Sequence, residues 1–249
     1  MPGARSAARS AKASAVSARP AARRGAAALP QQVRIIGGQW KRSRLPVADR
    51  PGLRPTPDRV RETLFNWLGQ DLSGWRCLDA FAGSGALGFE AASRGAASVL
   101  LLERDPALAQ SLRQTAQRLA THRAATVGPE MADAHRRRPA RQPVPGTAGV
   151  QVVCTDALAW MARAAPAQFD LVFIDPPYGA ALLPPALAAA LPLVAAGGRL
   201  YLEGDAALPD PLPGWRLLRS LRAGAVHARL LGRDPAGVDP AGFVVREPA

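Results

Sequence analysis

From residue 76 onward, short apolar runs alternate with stretches of helical character, and a glycine-rich turn joins the first run to the first helix. This rhythm constrains the fold more than any other feature. Strands alternating with helices build a parallel sheet with helices on both faces. The predicted strands are 77–81, 98–103, 150–154, 169–174 and 199–203, and the predicted helices are 86–94, 106 to about 120, 157–164 and 183–194. Two last strands, near 215–221 and 225–232, are separated by a short glycine-containing link and should pair antiparallel at one edge. The expected class is α/β, a Rossmann-like, mostly parallel seven-stranded sheet. Residues 121–149 break the rhythm with Pro129, Pro139, Pro143, Pro145 and the run Arg136–Arg138, and read as a mobile insertion.

Upstream of the alternation, Val33-Arg34-Ile35-Ile36 runs into Gly37-Gly38, which predicts a hairpin whose return strand falls within 40–47. Thr56 is placed to cap a helix beginning at Pro57. Val60, Leu64, Trp67 and Leu68 form its apolar stripe, Arg59, Arg61 and Glu62 lie off it, and Gly69 ends it. Residues 1–30 hold almost no large apolar side chain and are expected to be disordered. Their Arg- and Ser-rich, acid-free composition also suits an organellar transit peptide, but they lack the apolar core of a secretory signal.

Charge follows the same division. The chain carries a formal +13, yet residues 1–61 hold 14 Lys/Arg against Asp49 and Asp58, so the remainder is nearly neutral. A neutral body with a basic front end suggests a nucleic acid or another acidic surface as partner. No apolar run is long enough to span a bilayer. Cys77 and Cys154, the only cysteines, read as reduced core residues, and with three scattered histidines they make neither a disulfide framework nor a zinc site. A cytoplasmic, metal-free monomer is expected.

Phe81-Ala82-Gly83-Ser84-Gly85-Ala86-Leu87-Gly88 lies between a strand and a helix, where glycines let the backbone approach a ligand. Gly83, Gly85 and Gly88 satisfy G-x-G-x-x-G, and Glu103 follows Gly83 by 20 residues, so a nicotinamide or flavin enzyme is one reading. Asp79 argues against it, because a carboxylate in the strand entering the loop repels a pyrophosphate but suits a cationic amino-acid moiety. Glu103 can accept from ribose hydroxyls, and Asp156 from an adenine amino group, although Asp156 is also placed to cap the next helix. Three carboxylates at successive strand ends suit S-adenosylmethionine, a sulfonium cation without phosphate.

Asp175-Pro176-Pro177-Tyr178 follows an apolar strand and is the most specific string in the chain. The prolines fix φ and remove N–H groups, leaving a stiff turn that presents carbonyls. The Asp175 carboxylate and Pro176 carbonyl form a paired acceptor for both protons of an exocyclic amine. Holding those protons favours a pyramidal nitrogen and stabilises the positive charge that develops as it attacks a methyl group. Tyr178 offers a ring on which an extruded base can stack.

These strings carry a resemblance. FAGSGALGFE, Glu103 and DPPY, in this order, look like a class I methyltransferase acting on an amino nitrogen. RIIGGQWKRSRLP (34–46), RPTPDRVRETLFNWL (54–68) and CLDAFAGSGALGFEAASRGA (77–96) more narrowly resemble the RsmD family, bacterial enzymes that methylate N2 of a guanine in 16S ribosomal RNA. The resemblance spans about 33–120 and 150–232. It implies that Asp79, Phe81, Gly83, Gly85, Glu103, Arg104, Asp156 and Ala157 line an S-adenosylmethionine site, and that Asp175 to Tyr178 hold the guanine.

On this reading residues 31–70 form an RNA-binding extension and 71–249 the methyltransferase domain. Arg34, Lys41, Arg42, Arg44, Arg50, Arg54, Arg59 and Arg61, with Trp40 among them, would clamp ribosomal RNA, free or within an assembling 30S particle. Two enzyme alternatives stand beside it: DNA adenine-N6 methylation, for which no separate target-recognition region is long enough here, and a nicotinamide oxidoreductase. A third is an RNA-binding protein without catalysis.

Overall fold

The computed structural model describes residues 32–48, 56–126, 149–177, 181–204, 212–224 and 226–234. The expectations for residues 1–30, for most of 121–149 and for Arg50, Arg54 and Tyr178 lie outside these described residues. A two-stranded antiparallel hairpin, β1 (Gln32–Arg34) and β2 (Arg44–Pro46), precedes helix α1 (Asp58–Leu68). There follow β3 (Arg76–Asp79), α2 (Ala86–Ser93), β4 (Ser98–Glu103), α3 (Pro106–Thr126), β5 (Gly149–Cys154) and α4 (Ala157–Met161). The chain continues through β6 (Phe169–Ile174), α5 (Leu183–Ala190), β7 (Val194–Gly204), β8 (Trp215–Ala223) and β9 (Val226–Arg233).

Strands β3 to β9 form one seven-stranded sheet in the order β5-β4-β3-β6-β7-β9-β8. The pairs β5–β4, β4–β3, β3–β6 and β6–β7 are parallel, and β9 runs antiparallel to both β7 and β8. Alternation along the strands divides the core in two. Cys77, Val99, Leu101, Leu171, Phe173, Tyr201 and Leu230 pack on the side of α1, α2 and α3. Their neighbours Leu78, Leu100, Leu102, Val172, Ile174, Leu200 and Leu231 pack against α4 and α5. Strands buried on both faces must be apolar throughout, which is why SVLLLE and FDLVFI stand out in the sequence.

Several boundaries differ from the sequence expectation for physical reasons. β3 stops at Asp79 because the chain turns into the glycine loop there. α3 continues to Thr126. The helix expected over 183–194 ends at Ala190 and gives way to a single 3-10 turn, Leu191–Leu193, since Pro192 cannot donate to an α-helical ladder. β7 then begins at Val194, earlier than the expected 199. Cys77 is buried, but Cys154 is exposed, because β5 is the sheet's edge strand and its end is uncovered.

Helix α2 is buried at all its positions, between the sheet and the hairpin. It therefore reads apolar all round, with Ser93 at its end and one charged exception, Glu90. That carboxylate is fully buried and accepts from the backbone N–H groups of Ile36 (2.8 Å) and Gly37 (2.8 Å) in the hairpin. It also accepts from Arg94 Nε (2.9 Å) and Nη2 (2.8 Å), and Arg61 Nη1 lies 3.5 Å away. The hairpin turn packs on the end of α2, where Gln39 N–H donates to Ser93 O and Trp40 N–H to Ser93 Oγ. Gly38 is required there, since it holds φ +73° and a Cβ would lie 1.9 Å from Ser93 O.

Arg61, expected on the RNA-facing side of α1, is thus an interior residue. It is 0% exposed, and besides facing Glu90 it donates to the carbonyls of Thr56 (3.3 Å) and Arg34 (3.0 Å) and to Asp58 (2.6 Å). Trp40 is likewise buried in the core. Removing Glu90 strands two guanidinium groups in the interior. Glu90→Ala is expected to cost about 3–5 kcal/mol of unfolding free energy, read by urea denaturation; a loss below about 1 kcal/mol would show that the network carries no such load.

Candidate active site

The parallel strands all end on one edge of the sheet, and the loops leaving them enclose a cavity of about 490 Å³. Its wall gathers Asp79, Phe81, Gly83, Glu103, Arg104, Asp156, Ala157, Asp175, Pro176 and Pro177. Thr56, Ser84, Leu108, Thr155 and Leu182 also line it, none of them a sequence candidate for the site. A cavity outside the carboxyl ends of parallel strands is where open α/β sheets bind ligands.

The glycine loop is held by carboxylates. Gly83 N–H donates to Glu103 Oε2 at 2.9 Å, and Asp105 N–H to Glu103 Oε1 at 2.8 Å. Gly88 N–H, in the first turn of α2, donates to Asp79 Oδ2 at 3.0 Å. In a dinucleotide site the loop and the helix N-terminus face the pyrophosphate. Here two of those donors are engaged by anionic side chains, and Arg104 is the one cation among the described lining residues. The wall suits a ligand that is cationic or rich in hydroxyl groups, and it repels a pyrophosphate.

Gly85, expected to touch a cofactor, is also constrained by the protein's own packing. It holds φ +75° at the start of α2, and a Cβ would meet the Phe89 ring at 2.5 Å and Leu112 at 2.7 Å. The missing side chain lets the start of α2 pack closely against Leu112 of α3. Asp156 does cap α4, accepting from Ala159 N–H at 2.9 Å through Oδ1. A carboxylate has about four acceptor positions, so capping and ligand contact are compatible.

Asp79 is 2% exposed, and burial, aided by repulsion from Glu103, pushes its carboxyl up to about 7 against the pull of the Gly88 and Phe81 N–H groups. Asp175 lies well above the usual carboxylate range. Burial is the main cause, followed by repulsion from Glu203 and then Asp79, while the Thr56 hydroxyl opposes the rise. Ile174 pairs with Leu202, so Asp175, just past β6, and Glu203, still within β7, lie at the same level of neighbouring strands. Glu203 is 2% exposed and accepts from Tyr201 Oη at 2.8 Å. The sequence reading missed it, though an acid after the apolar run Leu200-Tyr201-Leu202 was a visible signal.

Thr56 departs from expectation. No side chain caps α1, whose cap position is Pro57. The Thr56 hydroxyl instead donates to Asp175 Oδ2 at 3.1 Å, across 119 residues of sequence.

The basic candidates divide. Arg59 is exposed in the first turn of α1, close behind cavity-lining Thr56, and Arg34 and Arg44 are exposed on the hairpin strands. Lys41 and Arg42 are exposed at the turn that packs on the C-terminal end of α2, the end opposite the glycine loop. Arg61 is interior, as described above.

Comparison with known proteins agrees with this geometry. A family model described as Conserved hypothetical protein 95 matches residues 33–144. The ribosomal RNA small subunit methyltransferase D of Escherichia coli strain K12 is 40% identical over 210 residues, covering 83% of this chain and 92% of the relative. The protein of the same name from Haemophilus influenzae is 36% identical, covering 80% and 93%. The solved structure of Escherichia coli yhhF is 39% identical, with a TM-score of 0.63 over 82% of this chain and 99% of that one. The fold is the Rossmann-like class I methyltransferase fold.

The raised Asp79 carboxyl sets a pH dependence. The unfolded chain, with an ordinary carboxyl, gives up its proton near pH 4, whereas the folded chain keeps it to about 7. Stability from this group is therefore full below about 4 and is lost as pH rises to 7. From about pH 4.5 to pH 8, the stability difference between Asp79→Asn and the parent should move in the variant's favour by about 2–4 kcal/mol, measured by urea unfolding. A difference that does not vary with pH contradicts this.

Proposed function

We propose, on the premise that this chain belongs to the RsmD family of methyltransferases, that it transfers a methyl group from S-adenosylmethionine to the exocyclic N2 amine of a guanine in small-subunit ribosomal RNA. The family membership rests on relatives at 36–40% identity across four-fifths of the chain. The observation that carries the finer reading is the meeting of the Asp175-Pro176-Pro177 turn and the carboxylate-lined glycine loop in one cavity. A hydride-transfer enzyme needs a pyrophosphate cradle, and Asp79 and Glu103 occupy donors such a cradle would use.

The lining fits the cofactor by its chemistry. Asp79 would face the cationic amino-acid portion, Glu103 would accept from the ribose hydroxyls, and Asp156 from the adenine amine. When bound, S-adenosylmethionine supplies a methyl group on a positively charged sulfur, ready for displacement by a nucleophile. The protein's part is to prepare the amine. The guanine amine is a poor nucleophile because its lone pair is delocalised into the ring. Asp175 and the Pro176 carbonyl would each accept one of its protons, turning the lone pair out of the ring plane and stabilising the charge that builds on nitrogen. Removal of a proton before transfer is unnecessary, since the methylated ammonium is a strong acid. Partly buried Asp175 and buried Pro176 keep this contact away from bulk water, where it would be weaker. Tyr178 would stack on the extruded base.

RNA would reach the mouth along Arg59 and Arg104, with Arg34 and Arg44 offering phosphate contacts further out. A ribosomal RNA substrate would put the reaction in the cytoplasm. Methylation of small-subunit RNA from cells lacking the protein, followed by nucleoside analysis, should yield N2-methylguanosine. N6-methyladenine in DNA as the sole product would refute the reading. Asp175→Ala should lower kcat about 10²–10³-fold while leaving S-adenosylhomocysteine binding in place by calorimetry; unchanged turnover would remove Asp175 from the reaction.

A further inference from the structure

We infer that Thr56 is a positioning residue for methyl transfer: its hydroxyl fixes the Asp175 carboxylate, so that the segment entering α1 sets the aim of the acceptor for the target amine. The inference rests on the functional reading above and deepens it. Thr56 is 4% exposed, lines the same cavity as Asp175, and donates to Oδ2 at 3.1 Å. A carboxylate free to rotate about its last bond samples many orientations, whereas a hydrogen bond on one oxygen leaves the other in a defined direction. The amine needs one such fixed acceptor beside the rigid Pro176 carbonyl.

Thr56 is itself held. Arg61 Nε donates to its carbonyl at 3.3 Å, and Arg61 is anchored by Asp58, the Arg34 carbonyl and Glu90. A run of polar contacts therefore leads from the hairpin and α2, through the start of α1, to the acceptor. Pro57 itself takes the cap position of α1, so Thr56 lies one residue outside the helix and its hydroxyl is left for Asp175.

Electrostatics gives the hydroxyl a second task. Asp175 faces Glu203 on β7 and Asp79 on β3, two acids that with burial favour its protonated form, and a protonated carboxyl loses acceptor capacity. The Thr56 hydroxyl favours the ionised form that the amine requires. Loss of the hydroxyl should then both loosen the acceptor and raise the pH at which it becomes active.

The test uses the full chain, small-subunit RNA from cells lacking the protein, and the variants Thr56→Val, equal in shape without the hydroxyl, and Thr56→Ser, which keeps it. Thr56→Val should lower kcat about 10–100-fold, the range for losing a hydrogen bond to a charged group. Its KM for RNA and its affinity for S-adenosylhomocysteine should stay close to the parent's, and the acid limb of its pH–rate profile should move to higher pH. Thr56→Ser should restore most of kcat and the parental limb. Parental kcat and an unmoved limb in Thr56→Val overturn the inference, as does a Thr56→Ser variant as slow as Thr56→Val, or a kcat loss matched by lost S-adenosylhomocysteine affinity. A parent protein that methylates no RNA removes the functional reading and this inference with it, whereas an active parent with an unaffected Thr56→Val variant removes this inference alone.

Discussion

The buried carboxylate of Glu90 is the interaction on which the arrangement of the N-terminal segment depends. A lone charge in the middle of an apolar helix cannot be left unpaired in the interior. Its partners come from three places: hairpin N–H groups, Arg94 at the end of its own helix, and Arg61 of α1. Satisfying one anion therefore docks the hairpin and α1 together on the sheet. Around it the packing is apolar, with Phe65 of α1 against Phe173 of β6 (6.2 Å between ring centroids) and Phe173 against Tyr201 of β7. The Arg94 guanidinium lies 4.8 Å from the Phe65 ring centre, so cation and aromatic face meet in the same contact. The burial supplies the energy and the charge network supplies the register.

The site is the opposite electrostatic design. On adjoining strands, Asp79, Glu103, Asp175 and Glu203 stand at or just beyond the carboxyl ends of β3, β4, β6 and β7, and repulsion among them, together with burial, raises Asp79 and Asp175. Acids held against their preference are a cost to the fold that a cationic ligand would relieve, which is why strongly shifted carboxyls mark a binding cleft. The N–H groups of Gly83 in the glycine loop and Gly88 in the first turn of α2 hold Glu103 and Asp79 in place. Exposed Arg104 follows Glu103 in the chain, and exposed Arg59 comes three residues after cavity-lining Thr56. An RNA backbone and an adenosine-like cation would thus be sorted to different parts of the surface by charge alone.

Much of this was legible in the sequence, and the failures have a common cause. Parallel strands covered on both faces must be continuously apolar, so SVLLLE and FDLVFI could be placed to the residue. The glycine loop and the Asp-Pro-Pro turn were visible because each is contiguous. Contacts between distant segments were not. The stripe of α1 was read as a helix with one buried face, yet the hairpin and α2 cover a second side, which takes Arg61 and Phe65 inside. Trp40 followed the same rule, since it was read as part of an RNA clamp and instead lies against the core. At Gly85, motif spacing alone cannot tell close backbone approach to a ligand from the close approach to Phe89 that the fold also requires. Thr56 satisfies every local criterion for a helix cap, and only the fold brings Asp175, 119 residues away, within reach of its hydroxyl.

The central claim is that the turn at Asp175 and Pro176 grips a base amine opposite the cofactor's sulfur. A crystal structure of the protein with S-adenosylhomocysteine and guanosine tests it most directly. The account predicts the guanine N2 within hydrogen-bonding distance of both the Asp175 carboxylate and the Pro176 carbonyl, with the sulfur on the open side of that nitrogen. Guanosine bound by its other edge, or a sulfur separated from the amine by the protein's own side chains, would contradict it.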